Sequence, residues 1–166
     1  ELTGGTHSDT FALLGTGNVD GTIEGGDGDG IDLVDYSSQA GDVVVTVGDI
    51  DSDILGIEGV VGKSGTGAGD TTSTLKVADG VTDSVAWTIQ RLADLPNSDG
   101  VNDGEVAIDN HQPFYFIDFN VLEGGDGQDA FVLQGEGQLV GQINGRGDLN
   151  TVSTQEADLA HRFTVG

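Results

Sequence analysis

Short runs in which apolar and polar residues alternate recur along the chain, at Val43 to Val47, Val85 to Ile89 and Pro113 to Phe119. A period of two sends successive side chains to opposite faces of a strand, so each run predicts a β-strand with one buried face. Gly- and Asp-rich stretches such as Asp99-Gly100 and Asp103-Gly104 punctuate the runs as turns. Two stretches have helical spacing: Ile89 to Leu95, and Ser153 to Arg162, where Ser153 and Glu156 stand at capping-box separation. Both are short, and the predicted class is all-β.

The alternation repeats. Leu2 to Gly25 aligns without gaps on Leu122 to Gly145, an offset of 120, with eleven of 24 positions identical. Asp9, Phe11, Leu13, Gly15, Gly17, Gly21, Ile23 and Gly25 match Asp129, Phe131, Leu133, Gly135, Gly137, Gly141, Ile143 and Gly145, and all are odd positions in the first copy. The even positions between them drift, so one strand face is fixed and the other is free. A fixed period marks a repeat architecture. The chain therefore reads as a single β-rich domain over 1–166, with repeat copy one at 2–48, an unpaired remainder at 49–121 and a partial second copy at 122–166. After the shared stretch, copy two is two residues shorter, and Thr46-Val47-Gly48 returns as Thr164-Val165-Gly166. Alternating bulky and Gly positions on the fixed face suit a narrow stacked coil, which favours a parallel β-helix or β-solenoid-like module. A β-sandwich adhesin domain is the alternative that periodicity leaves open.

Composition narrows the function. Among 166 residues there are 29 Asp or Glu against five Lys or Arg, a formal charge of -24. Proteins that bind nucleic acid neutralise phosphates with cationic groups, and anionic membrane surfaces attract basic segments, so neither is an expected partner. No apolar run approaches the roughly 18 residues of a membrane span. Cysteine and methionine are absent, which removes disulfides and thiolate metal sites. With Glu1 first, the expectation is a processed chain or an excised segment. Of the acids, 22 are Asp and seven Glu. Asp folds back on its own backbone in turns, and Asp-rich turns are where hard cations bind.

Several motifs could hold such a cation. Gly124 to Val132 fits G-G-x-G-x-D-x-U-x throughout, with Asp126 and Asp129 as oxygen donors. Gly4 to Ala12 fits except at His7 and offers Asp9; Gly25 to Leu33 fits only with an insertion looped out and offers Asp27, Asp29 and Asp32. Asn97 to Glu105 spaces side-chain oxygens alternately and offers Asp99 and Asp103. Asp49-Ile50-Asp51-Ser52-Asp53 opens like an EF-hand, but Ile54 and Val60 stand where Gly and the bidentate Glu belong, so that reading fails. The competing reading of every one of these carboxylates is that it caps backbone amides in a glycine-shaped turn.

These stretches resemble the glycine-rich calcium-binding repeats of RTX-type proteins, and more closely the long strand-rich repeats of giant bacterial surface proteins and adhesins. The residues that carry the likeness are 2 to 11, 21 to 37, 43 to 47 and 57 to 62, with Ile117-Asp118-Phe119-Asn120 leading into the next unit; Asn97 to Glu105 resembles part of a thrombospondin type 3 calcium loop. The resemblance implies an extracellular or cell-surface, non-enzymatic segment of a larger protein, stabilised by calcium. Its implied partners are neighbouring repeats or identical chains, with cell-surface or matrix glycans as a further class. The nonapeptides depart from the RTX pattern in being isolated, so each is expected to lack its usual partner turn.

An enzyme is not expected. There is no nucleophile elbow, zinc motif or phosphate loop, His7, His111 and His161 are scattered, and Lys63, Lys76, Arg91, Arg146 and Arg162 are dispersed. A polysaccharide-active β-helix would need clustered cations to meet an acidic polymer. Arg146-Gly147-Asp148 spells an adhesion tripeptide, which arises easily in a chain this rich in Gly and Asp. Trp87, Phe114, Tyr115 and Phe116 read as core or as an inter-turn stack. A self-assembling extracellular fibre or matrix subunit joined through edge strands is the alternative function.

Overall fold

The computed structural model describes residues 1–17, 19, 21–48, 54–63, 71–109 and 112–155. These residues form strands and turns without a helix: β1 (Leu2–Thr3), β2 (Thr10–Ala12), β3 (Ile23–Glu24), β4 (Leu33–Asp35), β5 (Val43–Val47), β6 (Ile54–Leu55), β7 (Gly59–Val61), β8 (Ser73–Val77), β9 (Val85–Ile89), β10 (Gly104–Ile108), β11 (Phe114–Ile117), β12 (Val121–Glu123), β13 (Asp129–Gln134), β14 (Gln142–Asn144) and β15 (Thr151–Gln155). The protein is all-β. The acidic stretch 49–53, His111, His161 and the returning Thr164-Val165-Gly166 lie outside the described residues.

Three sheets result, in the orders β1-β3-β6, β15-β13-β9-β10-β11-β7-β4-β2 and β14-β12-β8-β5. Only β10 pairs antiparallel, with β9 on one side and β11 on the other; the other described pairings are parallel. Two reversals cancel, so β9 and β11 point the same way. Seven strands of the eight-stranded sheet are therefore co-directional, and β10 alone is inserted against them.

The pairing registers repeat with the sequence. Leu2 pairs with Ile23 and Thr3 with Glu24; 120 positions later Leu122 pairs with Ile143 and Glu123 with Asn144. Phe11 pairs with Val34, a step of 23, and Phe131 with Val152, a step of 21. The difference is the two-residue insertion in the turn of copy one.

Alternation decides which side chains meet. Val43, Val45 and Val47 are buried while Val44 is 62% exposed, and Val85, Trp87 and Ile89 are buried together. They join Val34, Val60, Leu75, Phe116, Leu122, Phe131 and Leu133 in one core shared by all three sheets. At its centre Trp87 stacks on Phe131, ring centroids 5.5 Å apart, and meets Phe116 edge-on at 6.1 Å. The long sheet buries its second face too: Leu33, Val61 and Ile117 pack with Leu92 and Leu95. Those two leucines explain the helical spacing read at Ile89 to Leu95. Ile89 ends β9, and Leu92 to Leu95 is a single turn, closed by the Leu95 N–H donating to the Leu92 carbonyl at 3.0 Å. Pro96 follows, which disfavours helix at Leu95. Ser153 lies within β15, so it caps no helix, and the rest of that stretch beyond Gln155 is outside the described residues.

Candidate functional site

Glycine-rich turns stack in two columns along the edges of the sheets. In the first, the turn at 4–9 lies on the turn at 25–32, which lies on 56–58. The contacts are backbone to backbone: a Cβ on Gly28 would overlap Thr6, and one on Gly30 would overlap His7 and Ser8. In the second column, 124–129 lies between 81–84 and 145–150, with the Asp126 N–H donating to the Val81 carbonyl at 2.8 Å and the Gly147 N–H to the Gly125 carbonyl at 3.3 Å. Each nonapeptide thus has a partner turn, contrary to the sequence expectation. One partner turn of each column lies about 21 to 23 residues away in the chain, the separation at which the flanking strands pair in parallel.

Carboxylates bind these columns by accepting backbone N–H groups. Gly5 donates to Asp9 Oδ2 at 2.6 Å, Asp9 to Asp32 Oδ1 at 2.7 Å, and Asp32 to Glu58 Oε2 at 2.8 Å. Copy two repeats the pattern: Gly125 donates to Asp129 Oδ1 at 3.2 Å, and Asp129 to Asn150 Oδ1 at 2.9 Å. Asn150 occupies the place of Asp32, so the ladder works with a neutral amide. Asp129 is 2% exposed, and its Oδ2 is buried without a hydrogen-bond partner, as is Trp87 Nε1. Burial pushes the Asp129 pKa up, opposed by the Gly125 N–H and the charge of Arg146.

Arg146 was not among the sequence candidates. Its guanidinium lies within the second column, donating to the carbonyls of Val77 at 3.2 Å and Gly124 at 3.4 Å, and to Asp79 Oδ1 at 2.5 Å. Asp126 Oδ1 is 3.5 Å away, and Asp126 Oδ2 accepts the Gly80 N–H at 2.9 Å. Two carbonyls and two carboxylates are the donor set a hard cation takes, and here a side chain supplies the positive charge. Arg146 holds φ at +53°, a left-handed conformation that β-carbon sterics disfavour. Gly26, its equivalent in copy one, has φ of +116°. One residue past the aligned stretch, Gly26 of copy one gives way to Arg146, and that change is the signal that could have found it. Lys63 acts similarly, donating to the carbonyls of Gln39 at 2.7 Å and Gly41 at 2.9 Å. With Arg146 so engaged, the Arg-Gly-Asp triplet is part of a turn column.

Of the remaining candidates, two belong to the first column and two to a separate loop. Asp27 and Asp29 are exposed in the turn at 25–32. Asp99 Oδ1 accepts the Val101 N–H at 2.8 Å. Asp103, 1% exposed, takes the Ser98 hydroxyl and the Gly100 N–H on Oδ2, both at 2.9 Å, and the Asp118 N–H on Oδ1 at 3.0 Å. Both its oxygens are committed to organising the 97–105 loop. Among the described residues, no three His, Asp or Glu side chains converge as a metal-binding group.

Asp118 is the clearest titrating group. Burial, with the nearby charges of Asp103 and Asp99, raises its pKa to about 6. Because the folded value lies above the ordinary one, protonation favours the native state. Its contribution is greatest at low pH and is lost as pH rises through about 6. Asp118 holds φ at +62°, a conformation Asn also tolerates. Asp118→Asn is therefore expected to raise the melting temperature at neutral pH and to flatten the pH dependence near 6; urea midpoints between about pH 5 and 8 check this.

No family model, no curated protein and no solved structure matches this chain.

Proposed function

We propose that the chain is a non-enzymatic structural repeat of a secreted or cell-surface protein, a β-solenoid-like stack whose acidic turn columns are held by cations. The observation that carries the reading is the recurrence of the Leu2–Ile23 register as Leu122–Ile143, since a structural array needs each unit to present the same strands to the next. Parallel pairing across coils of about 21 residues supports stacked coils over an antiparallel sandwich. The turn columns supply the need for positive charge. The first brings Asp9, Asp27, Asp29, Asp32 and Glu58 into three stacked turns whose residues include no Lys or Arg.

Calcium is the cation proposed for that column, with Asp9 and Asp32 as ligands and turn carbonyls completing the shell. Sites of this oxygen-rich kind, when weak, match extracellular calcium of roughly 0.1 to 1 mM. In the second column Arg146 stands in for the metal. Calorimetric titration with calcium chloride tests the assignment. Saturable binding is expected, weakened by Asp32→Asn. An added site is expected in Arg146→Gly, which frees the carbonyls of Val77 and Gly124 and the carboxylates of Asp79 and Asp126. Titrations without heat or saturation in either protein would remove calcium from the account.

A further inference from the structure

The two copies of the repeated stretch carry the same residues in unequal surroundings. Leu122 is fully buried, whereas Leu2 is 43% exposed; Phe131 and Leu133 are buried, whereas Phe11 and Leu13 are only half-buried. Copy two is covered by the segment 73–120. There β12 pairs with β8 and β13 with β9, which sets Phe131 against Trp87. Beyond the strands, Gln138 N–H donates to the Gly100 carbonyl at 2.8 Å, Asn102 N–H to the Gln138 carbonyl at 2.7 Å, and Val140 N–H to Asn102 Oδ1 at 2.6 Å.

Gly17 and Gly137 sharpen the contrast. Both close the same turn, donating to Leu14 and Gln134 carbonyls at 2.9 Å. A Cβ on Gly137 would overlap the backbone of Ile89 and Gln90 from the covering segment, so glycine is required there. A Cβ on Gly17 would crowd the Leu14 carbonyl of its own turn, 2.9 Å away, and its three nearest atoms all belong to Leu14. Copy one thus keeps the turn glycine without the second backbone that crowds Gly137. Along the same stretch a cavity of about 350 Å³ opens, lined by Leu13, Val19, Ile23, Tyr36 and Val43 among others.

We propose that β1, β2, residues 13–17, Val19 and Gly21 form a docking face for a preceding copy of the unit, whose equivalents of β8, β9 and residues 100–102 lie on copy one as these lie on copy two. The occupant is specified by the internal interface: its β8 equivalent pairs with β1, its Trp87 equivalent stacks on Phe11, and its Ile89-Gln90 backbone lies on Gly17. This rests on the structural-repeat reading and names the occupant of the exposed face of copy one.

The test joins residues 73–121 directly to Leu2 of the full chain, since Val121 precedes Leu122 as the added Val121 would precede Leu2. Melting is compared with the parent chain, each with Gly17→Ala and, in the parent, Gly137→Ala. The extended chain is expected to melt about 5 °C or more above the parent, and amides of 2–15 to exchange more slowly. Gly17→Ala is expected to lower the melting temperature of the parent less than Gly137→Ala does, since it crowds only the Leu14 carbonyl of its own turn, and to lower that of the extended chain as much as Gly137→Ala lowers the parent's. A silent Gly137→Ala would sink the stacked-repeat reading itself. If Gly137→Ala destabilises the parent but the extension raises neither melting nor protection, or Gly17→Ala costs no more in the extended chain than in the parent, the docking face alone is overturned. A parent chain whose mass by light scattering rises with concentration, and falls back in Leu2→Lys, would assign the face to an identical chain and overturn the assignment to a preceding unit.

Discussion

Trp87→Ala is expected to cost about 3–5 kcal/mol, a large share of the roughly 5–15 kcal/mol that holds a domain folded. Trp87 is fully buried on β9, where it stacks on Phe131 from β13 and meets Phe116 from β11 edge-on. The strands it joins lie on either side of the reversed β10. Truncation would leave a cavity where two aromatic contacts converge, with the sheet holding its walls apart. Trp87→Phe should keep much of the packing, and it removes an indole N–H that has no hydrogen-bond partner. Val44→Ala, at a 62% exposed position, should stay within about 0.5 kcal/mol. Urea unfolding of the three variants checks the ranking; a Trp87→Ala protein as stable as Val44→Ala would contradict the core described.

Gly25→Ala is the second large effect, expected near 3 kcal/mol. The added methyl would overlap the Gly56 carbonyl of the turn below and the Asp32 carboxylate folded beneath its own turn. Asp32 can rotate away only by leaving the Asp9 N–H, and the Gly56 carbonyl belongs to backbone. Relief therefore requires the two turns to separate. Gly41→Ala isolates the other cost a glycine can hide: it has φ of +82°, and an added methyl would find nothing within 4 Å, so only the left-handed penalty of about 1–2 kcal/mol applies. Thermal melts of the pair should separate clearly, Gly25→Ala being the lower.

The nonapeptide pattern is explained by the same geometry. Its first glycine makes room for the carboxylate five residues on, and its second glycine donates to that carboxylate, at Gly4, Gly5 and Asp9 as at Gly124, Gly125 and Asp129. That much follows without a metal. The strands are legible where one face is wet, as at Val43 to Val47 and Val85 to Ile89, because alternation then has something to alternate against. It fails at Gly59, Val60 and Val61, all buried, where the long sheet is covered on both faces. The reversal of β10 leaves no mark in period-two spacing, which has no direction. Among the site residues, Asp9 and Asp129 are marked by the repeat and Asp32 by the interrupted nonapeptide, and the structure brings them into turn columns. Asp99 and Asp103 are marked by spacing alone, and they organise a separate loop. Arg146 escapes notice because a lone basic residue in an acidic chain looks dispersed until a register places it among carbonyls from two other turns.

In the function proposed, cations hold the acidic turn columns together. Thermal unfolding at neutral pH and constant ionic strength, in about 5 mM calcium and in excess chelator, tests it most directly. Binding to the folded form alone must stabilise it, so the melting temperature is expected to rise in calcium and to return on chelation. Equal melting temperatures in the two solutions would contradict it.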